Sequence, residues 1–101
     1  GWDEVPFPDI GDPNAYALEI SGDSMLPFYR PGDIVVVSPN ASVRRGDRVV
    51  AKTRDGEVMV KQLVRRTSKR VELESFNPAF PLRTLEPREL AWLSRIVWAS
   101  Q

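Results

Sequence analysis

Cysteine and histidine are both absent from the 101 residues. Without cysteine there is no disulfide framework, thiolate nucleophile, iron–sulfur cluster or thiolate-held zinc. Without histidine, no Ser-His-Asp or Cys-His machinery can be assembled within the chain. The usual catalytic zinc sites lose their commonest ligand as well. No metal and no cofactor are therefore expected, and acid–base chemistry is left to Asp, Glu, Lys and Tyr. Long apolar runs are missing too. The longest are Ile34-Val35-Val36-Val37 and a broken stretch near the C-terminus, far short of the ~20 residues that span a bilayer. The chain opens on Gly1 with no charged-then-apolar leader; it is expected to be an excised piece of a longer chain without a signal peptide. Neither sign of charge is in excess, with 14 basic and 14 acidic residues, whereas a free-standing DNA-binding domain usually carries a basic surplus.

What is present reads as one domain of mostly β structure. Nine prolines cut the chain into short pieces, and no ten-residue stretch keeps a helical period. Residues 1–15 hold Pro6, Pro8, Pro13 and Gly11 and read as an extended N-terminal arm or linker, because each proline biases its predecessor away from helix. Residues 16–101 form the domain proper. Strands are expected at Tyr16–Ile20, Ile34–Ser38, Arg48–Thr53, Glu57–Leu63, Val71–Glu74 and Ala91–Ala99, from their apolar and β-branched runs. Asp55-Gly56 between two such runs is a hairpin signal, and Thr67-Ser68 suggests a second. Met25–Arg30 is expected to form a helical turn. The charge is polarised along the chain: residues 1–42 carry one basic and seven acidic side chains, and residues 43–101 carry 13 basic and seven acidic.

Two elements carry candidate chemistry. Ser21-Gly22-Asp23-Ser24-Met25-Leu26-Pro27 is a strand running into a glycine turn with a serine just beyond. Such a turn can project a hydroxyl and aim successive backbone N–H groups at one point, as a nucleophile with an oxyanion hole requires. Taken alone, it is equally a β-turn with Ser24 capping a short helix. The second element is Lys61, in Glu57-Val58-Met59-Val60-Lys61-Gln62-Leu63. Strand alternation places Glu57, Met59 and Lys61 on one face. A lysine among apolar neighbours is desolvated, which lowers its pKa, and a neutral amine can take the proton of a serine; Ser-Lys is an established variant of the triad logic. Alone, Lys61 is equally a solvated strand residue.

The string SGDSMLPFYRPGDIVVV, followed 37 residues after Ser24 by Lys61 in VMVKQL, resembles the C-terminal domain of LexA-like and phage-lambda-type repressors, self-cleaving serine peptidases with a Ser-Lys dyad. Gly32-Asp33 before an apolar strand, Val43-Arg44-Arg45-Gly46-Asp47 before Val49-Val50-Ala51, and Ser75-Phe76-Asn77-Pro78 after the next strand extend the resemblance over about residues 16–99. It implies a compact, largely β domain behind an N-terminal helix-turn-helix domain that would bind operator DNA and is absent here. It also implies homodimerisation, a cytoplasmic location and no membrane contact. Ser24 would be the nucleophile, Lys61 the general base, and the N–H groups of Asp23 and Ser24 the oxyanion hole. Cleavage in such repressors falls at an upstream Ala-Gly or Cys-Gly bond and is promoted by an activated RecA filament in the SOS response. This chain contains neither dipeptide, so its scissile bond is expected outside it.

Two other readings stand beside the autopeptidase: the same fold used only for dimerisation or sensing, and a signal-peptidase-like enzyme, which also pairs Ser in a Ser-Gly-x-Ser-Met box with Lys. The lack of a membrane anchor and of a further acidic box after Lys61 argues against the latter. The Gly-Asp pairs at Asp23, Asp33 and Asp47 read as turns rather than metal ligands. The Arg65-Arg66-Thr67-Ser68-Lys69-Arg70 cluster reads as a solvated hairpin tip. Trp92 and Trp98 on the last strand are expected in the core, with partial exposure at a dimer surface.

Overall fold

The computed structural model describes residues 11–100. The described residues form one seven-stranded antiparallel sheet. Its strands are β1 (Tyr16–Glu19), β2 (Ile34–Ser38), β3 (Arg48–Thr53), β4 (Val58–Arg66), β5 (Val71–Glu74), β6 (Arg83–Leu85) and β7 (Leu90–Ala99). Their spatial order is β1-β2-β7-β3-β4-β5-β6. The last strand therefore lies in the interior of the sheet, zipped between β2 and β3.

Strand alternation divides the core between two faces. Val49 and Ala51 of β3 join Met59, Leu63, Val71, Leu73, Leu85 and Leu90 in one cluster. Val50, between them in sequence, joins Ile20, Met25, Tyr29, Val35, Val37 and Ile96 in the other. The β-branched run Val35-Val36-Val37 is buried throughout, flanked by β1 and β7, with Val35 and Val37 in the second cluster. Trp92 sits against the second cluster, its ring edge-on to Tyr16 at 6.3 Å between centroids.

The expected β2, β3 and β5 match the observed strands residue for residue, and β7 begins one residue earlier, at Leu90. β1 ends at Glu19, although Ile20 still donates its N–H to the Asp33 carbonyl and accepts from the Gly32 N–H. β4 runs three residues past Leu63, to Arg66, because the turn at Thr67 closes late; the Thr67 N–H donates to the Arg70 carbonyl and the Thr67 hydroxyl accepts from the Lys69 and Arg70 N–H groups. β6 has no counterpart in the sequence reading, since its three residues lie between Pro81 and Pro87 and show no period of their own. The helical turn expected at Met25–Arg30 is instead a non-helical turn, closed by the Tyr29 N–H on the Met25 carbonyl. Pro27 disfavours the helical region for Leu26. A short 3₁₀ turn, Pro87–Glu89, is stapled by Glu86 and Glu89, each side chain accepting from the other's backbone N–H.

Of the arm assigned to residues 1–15, the first ten lie outside the described residues. From Gly11 onward the chain turns. The Asp12 carboxylate accepts from the Ser38 hydroxyl, the Asn40 side-chain amide and the Asn14 and Asn40 N–H groups, which pins the entry to β1 against the end of β2.

Leu73 is fully buried in the first cluster. Leu73→Ala is expected to lower the unfolding free energy by about 2–5 kcal/mol through lost burial plus a cavity, measured by urea denaturation.

Candidate active site

The turn after β1 and the first half of β4 face each other across an open cleft of about 520 Å³. Its walls include Ser21, Gly22, Asp23 and Ser24 on one side, and Glu57 through Lys61 on the other; Phe80 and Arg83 complete the rim. Ser24 and Lys61, 37 residues apart in sequence, thus line one cavity. Gly22 takes a φ of +80°, in the left-handed region that glycine enters freely, and this lets the chain reverse direct from β1 into the serine turn.

Lys61 is only 6% exposed. Its Nζ donates to the Ser75 Oγ at 2.6 Å, a buried contact, and lies 5.6 Å from the centre of the Phe80 ring. The amine's hydrogen bond is therefore with Ser75 rather than with Ser24. Burial pushes the Lys61 pKa below the ordinary lysine value, the positive charge of Arg83 pushes it the same way, and Glu57 opposes both. Arg83 is itself held by a two-pronged pair with Glu57, at 2.9 and 3.0 Å. That pair keeps the Glu57 carboxyl below the usual carboxylate range.

The serine turn is fixed by the loop that leaves β5. The Asn77 N–H donates to the Ser24 carbonyl and the Asn77 side-chain amide to the Asp23 carbonyl, both at 2.9 Å. Because the peptide unit is planar, pinning the Asp23 carbonyl also sets the direction of the Ser24 N–H. The Phe76 ring stacks on Phe28 at 4.9 Å, and the Arg48 guanidinium lies 3.8 Å from the centre of the Phe28 ring, a cation–π contact. The two loops are thereby joined by polar and apolar contacts at once.

The remaining features of the sequence resolve simply. Asp33 and Asp47 close equivalent turns: each carboxylate accepts from the N–H three residues back, at Arg30 and Arg44, and each N–H donates to the same residue's carbonyl. Arg65, Arg66, Lys69 and Arg70 sit exposed around the β4–β5 turn, with Arg70 paired to Glu72. Sequence reasoning did not assign a role to Ser75, Asn77 or Arg83. The break at Asn77-Pro78 after β5 marked the loop, but nothing local to Ser75 or Arg83 announced that they meet Lys61 or Glu57.

A buried ammonium weakens the fold that holds it. A lysine whose pKa is depressed on folding binds fewer protons folded than unfolded in the window between the two values, so stability rises with pH across that window. Lys61→Met removes the charge at similar length. At neutral pH the variant is expected to be more stable by about 1 kcal/mol, roughly 4–8 °C for a domain of this size. That advantage should shrink as pH approaches about 10.4, measured by thermal unfolding at several pH values.

Comparison with known proteins agrees with this geometry. Residues 3–97 match the family model described as Peptidase S24-like. The chain is 38% identical over 95 residues to a LexA repressor of Paramagnetospirillum magneticum, covering 93% of this chain and 40% of that protein. It is 42% identical over 74 residues to repressor protein C of Rhizobium phage 16-3, covering 65% of this chain and 28% of the relative. It is 40% identical over 67 residues to the prophage repressor CohE of Escherichia coli, covering 65% and 30%. The chain thus spans well under half the length of these curated relatives. With the family match running almost end to end over a β domain that carries the Ser24 turn and the Lys61 strand on one cleft, the chain belongs to the Peptidase S24-like family, and its relatives are LexA-like and phage repressors.

Proposed function

We propose that this chain is the C-terminal regulatory domain of a helix-turn-helix repressor, and that it cleaves its own parent chain through Ser24 and Lys61. The observation that carries the reading is the shared cleft, with a nucleophile candidate on one wall and a buried, pKa-lowered amine on the other. Neutral Lys61 takes the proton as Ser24 Oγ attacks the scissile carbonyl carbon. The oxyanion is held by the N–H groups of Asp23 and Ser24. Lys61 then gives the proton to the departing amine, and the Ser24 ester is hydrolysed by water activated in the same way.

The edge geometry fits a peptide substrate. Among the described residues, β5 pairs with β4 only from Gln62 onward, so Val58–Lys61 are paired on the β3 side alone. An extended segment can add to that open half-edge and make backbone hydrogen bonds along it. Val58, Phe80 and Leu82, exposed at 53%, 41% and 51%, offer apolar surface to its side chains. The scissile segment is upstream chain carrying an Ala-Gly or Cys-Gly bond. The whole repressor dimerises, binds operator DNA through its other domain, and responds to an activated RecA filament.

Full-length protein should cut itself slowly at neutral pH and faster in alkali. The rate should rise about tenfold per pH unit while Lys61 is mostly protonated, then level off below the ordinary lysine value. Ser24→Ala and Lys61→Ala should each abolish cutting, and together be no worse than either alone. Intact mass after incubation at several pH values reads this out. If no cut appears in alkali or with an activated RecA filament, the domain is a dimerisation module.

A second expectation concerns assembly. The chain should sediment as a two-fold homodimer at high micromolar concentration; a strictly monomeric mass removes that part of the reading.

A further inference from the structure

Lys61 has to be more than deprotonated to act as a base. A neutral amine has one lone pair and two N–H bonds, and the lone pair must face the Ser24 hydroxyl. A lysine side chain with free rotation about its last bond spends most of its time misdirected.

Ser75 is placed to restrict that rotation. It is the first residue after β5, 8% exposed, and its Oγ accepts the Lys61 Nζ hydrogen bond at 2.6 Å. Two residues on, Asn77 binds the carbonyls of Asp23 and Ser24. One short stretch of chain therefore grips the amine at Ser75 and the serine turn at Asn77, and its length sets their relation. We propose that Ser75 is a positioning residue: by accepting one N–H of Lys61 it restricts the amine's rotation and leaves the lone pair for the Ser24 proton. This rests on the self-cleavage reading above. Ser75 touches no substrate and exchanges no proton; it acts through Lys61.

The charged side chains around the amine are Arg83 of β6 and Glu57, the residue before β4, with Glu19 of β1 and Asp23 of the serine turn on the opposite wall. None of these changes in a Ser75 variant. Removing an acceptor from the ammonium disfavours the charged form, so Ser75→Ala should move the Lys61 titration to lower pH. A structural defect alone would not move it in that direction.

The test compares full-length wild type, Ser75→Ala and Ser75→Thr. Self-cleavage rate is followed against pH by intact mass, and Lys61 is titrated separately by NMR on protein labelled with 13Cε-lysine, assigned with Lys61→Arg. For Ser75→Ala the alkaline plateau rate should fall about ten- to a hundredfold, the scale expected when a reacting group is misplaced, while the midpoint moves down. Ser75→Thr, which keeps the hydroxyl, should recover most of the rate and the midpoint. An unchanged plateau and midpoint in Ser75→Ala overturns the inference. So does an equal loss in both variants with unmoved midpoints and matching losses of melting temperature, since that is a packing defect. If wild type itself never cuts, the self-cleavage reading has failed. The NMR titration then decides Ser75 alone: a lowered Lys61 midpoint in Ser75→Ala upholds its hold on the amine, and an unmoved one overturns it.

Discussion

Lys61 keeps its amine inside the protein, against Ser75 and beside the Phe80 ring, while a second cation, Arg83, stands close enough to repel it. Desolvating an ammonium is unfavourable unless it is well paired, and here its hydrogen-bond acceptor is a neutral hydroxyl. Glu57 supplies the opposing charge but is engaged by Arg83 through both carboxylate oxygens. The carboxylate is thus directed at the arginine and reaches the lysine only at longer range. The balance leaves the amine easier to deprotonate than an exposed lysine, and the neutral form is the one able to accept a proton.

Keeping the amine buried and reachable at once depends on where β4 loses its neighbour. From Gln62 onward the strand is paired on both sides; from Val58 to Lys61 it is paired with β3 alone. Lys61 is the last residue before the second ladder begins. Its stem is therefore anchored in a rigid sheet while its head borders an open cleft. A residue two further along, at Leu63, would be enclosed in the core cluster; one at Glu57 would be in solvent.

The opposite wall is a turn, and a turn has no sheet ladder to hold it. Its order comes from outside. Asn77 takes two of its carbonyls, Phe76 stacks on Phe28, and Arg48 lies over that ring. The loop after β5 is the shared support, reaching the lysine through Ser75 and the serine turn through Asn77. The two halves of the chain stay together in the sheet: β1 and β2 of the acidic half lie side by side at one end, and the five strands of the basic half follow in the order β7-β3-β4-β5-β6.

Local sequence determined the strands with strong β-branched runs, β2, β3 and β5, and the hairpin turn at Asp55-Gly56, because side-chain alternation and turn chemistry are decided within a few residues. It also marked Ser24 by its glycine turn and Lys61 by its apolar strand, and their spacing in two matching strings carried the family resemblance. β6 was illegible, since three residues between prolines hold no period and are strands only because β5 offers an edge. The place of β7 inside the sheet was illegible for a related reason: strand order is a long-range choice. The contacts of Lys61 with Ser75, of Asn77 with the serine turn and of Arg83 with Glu57 join residues 14, 54 and 26 positions apart. No periodicity encodes such distances. They exist because the antiparallel sheet brings the end of β5 beside the middle of β4 and folds its outgoing loop over the turn after β1, and only the tertiary structure makes that choice.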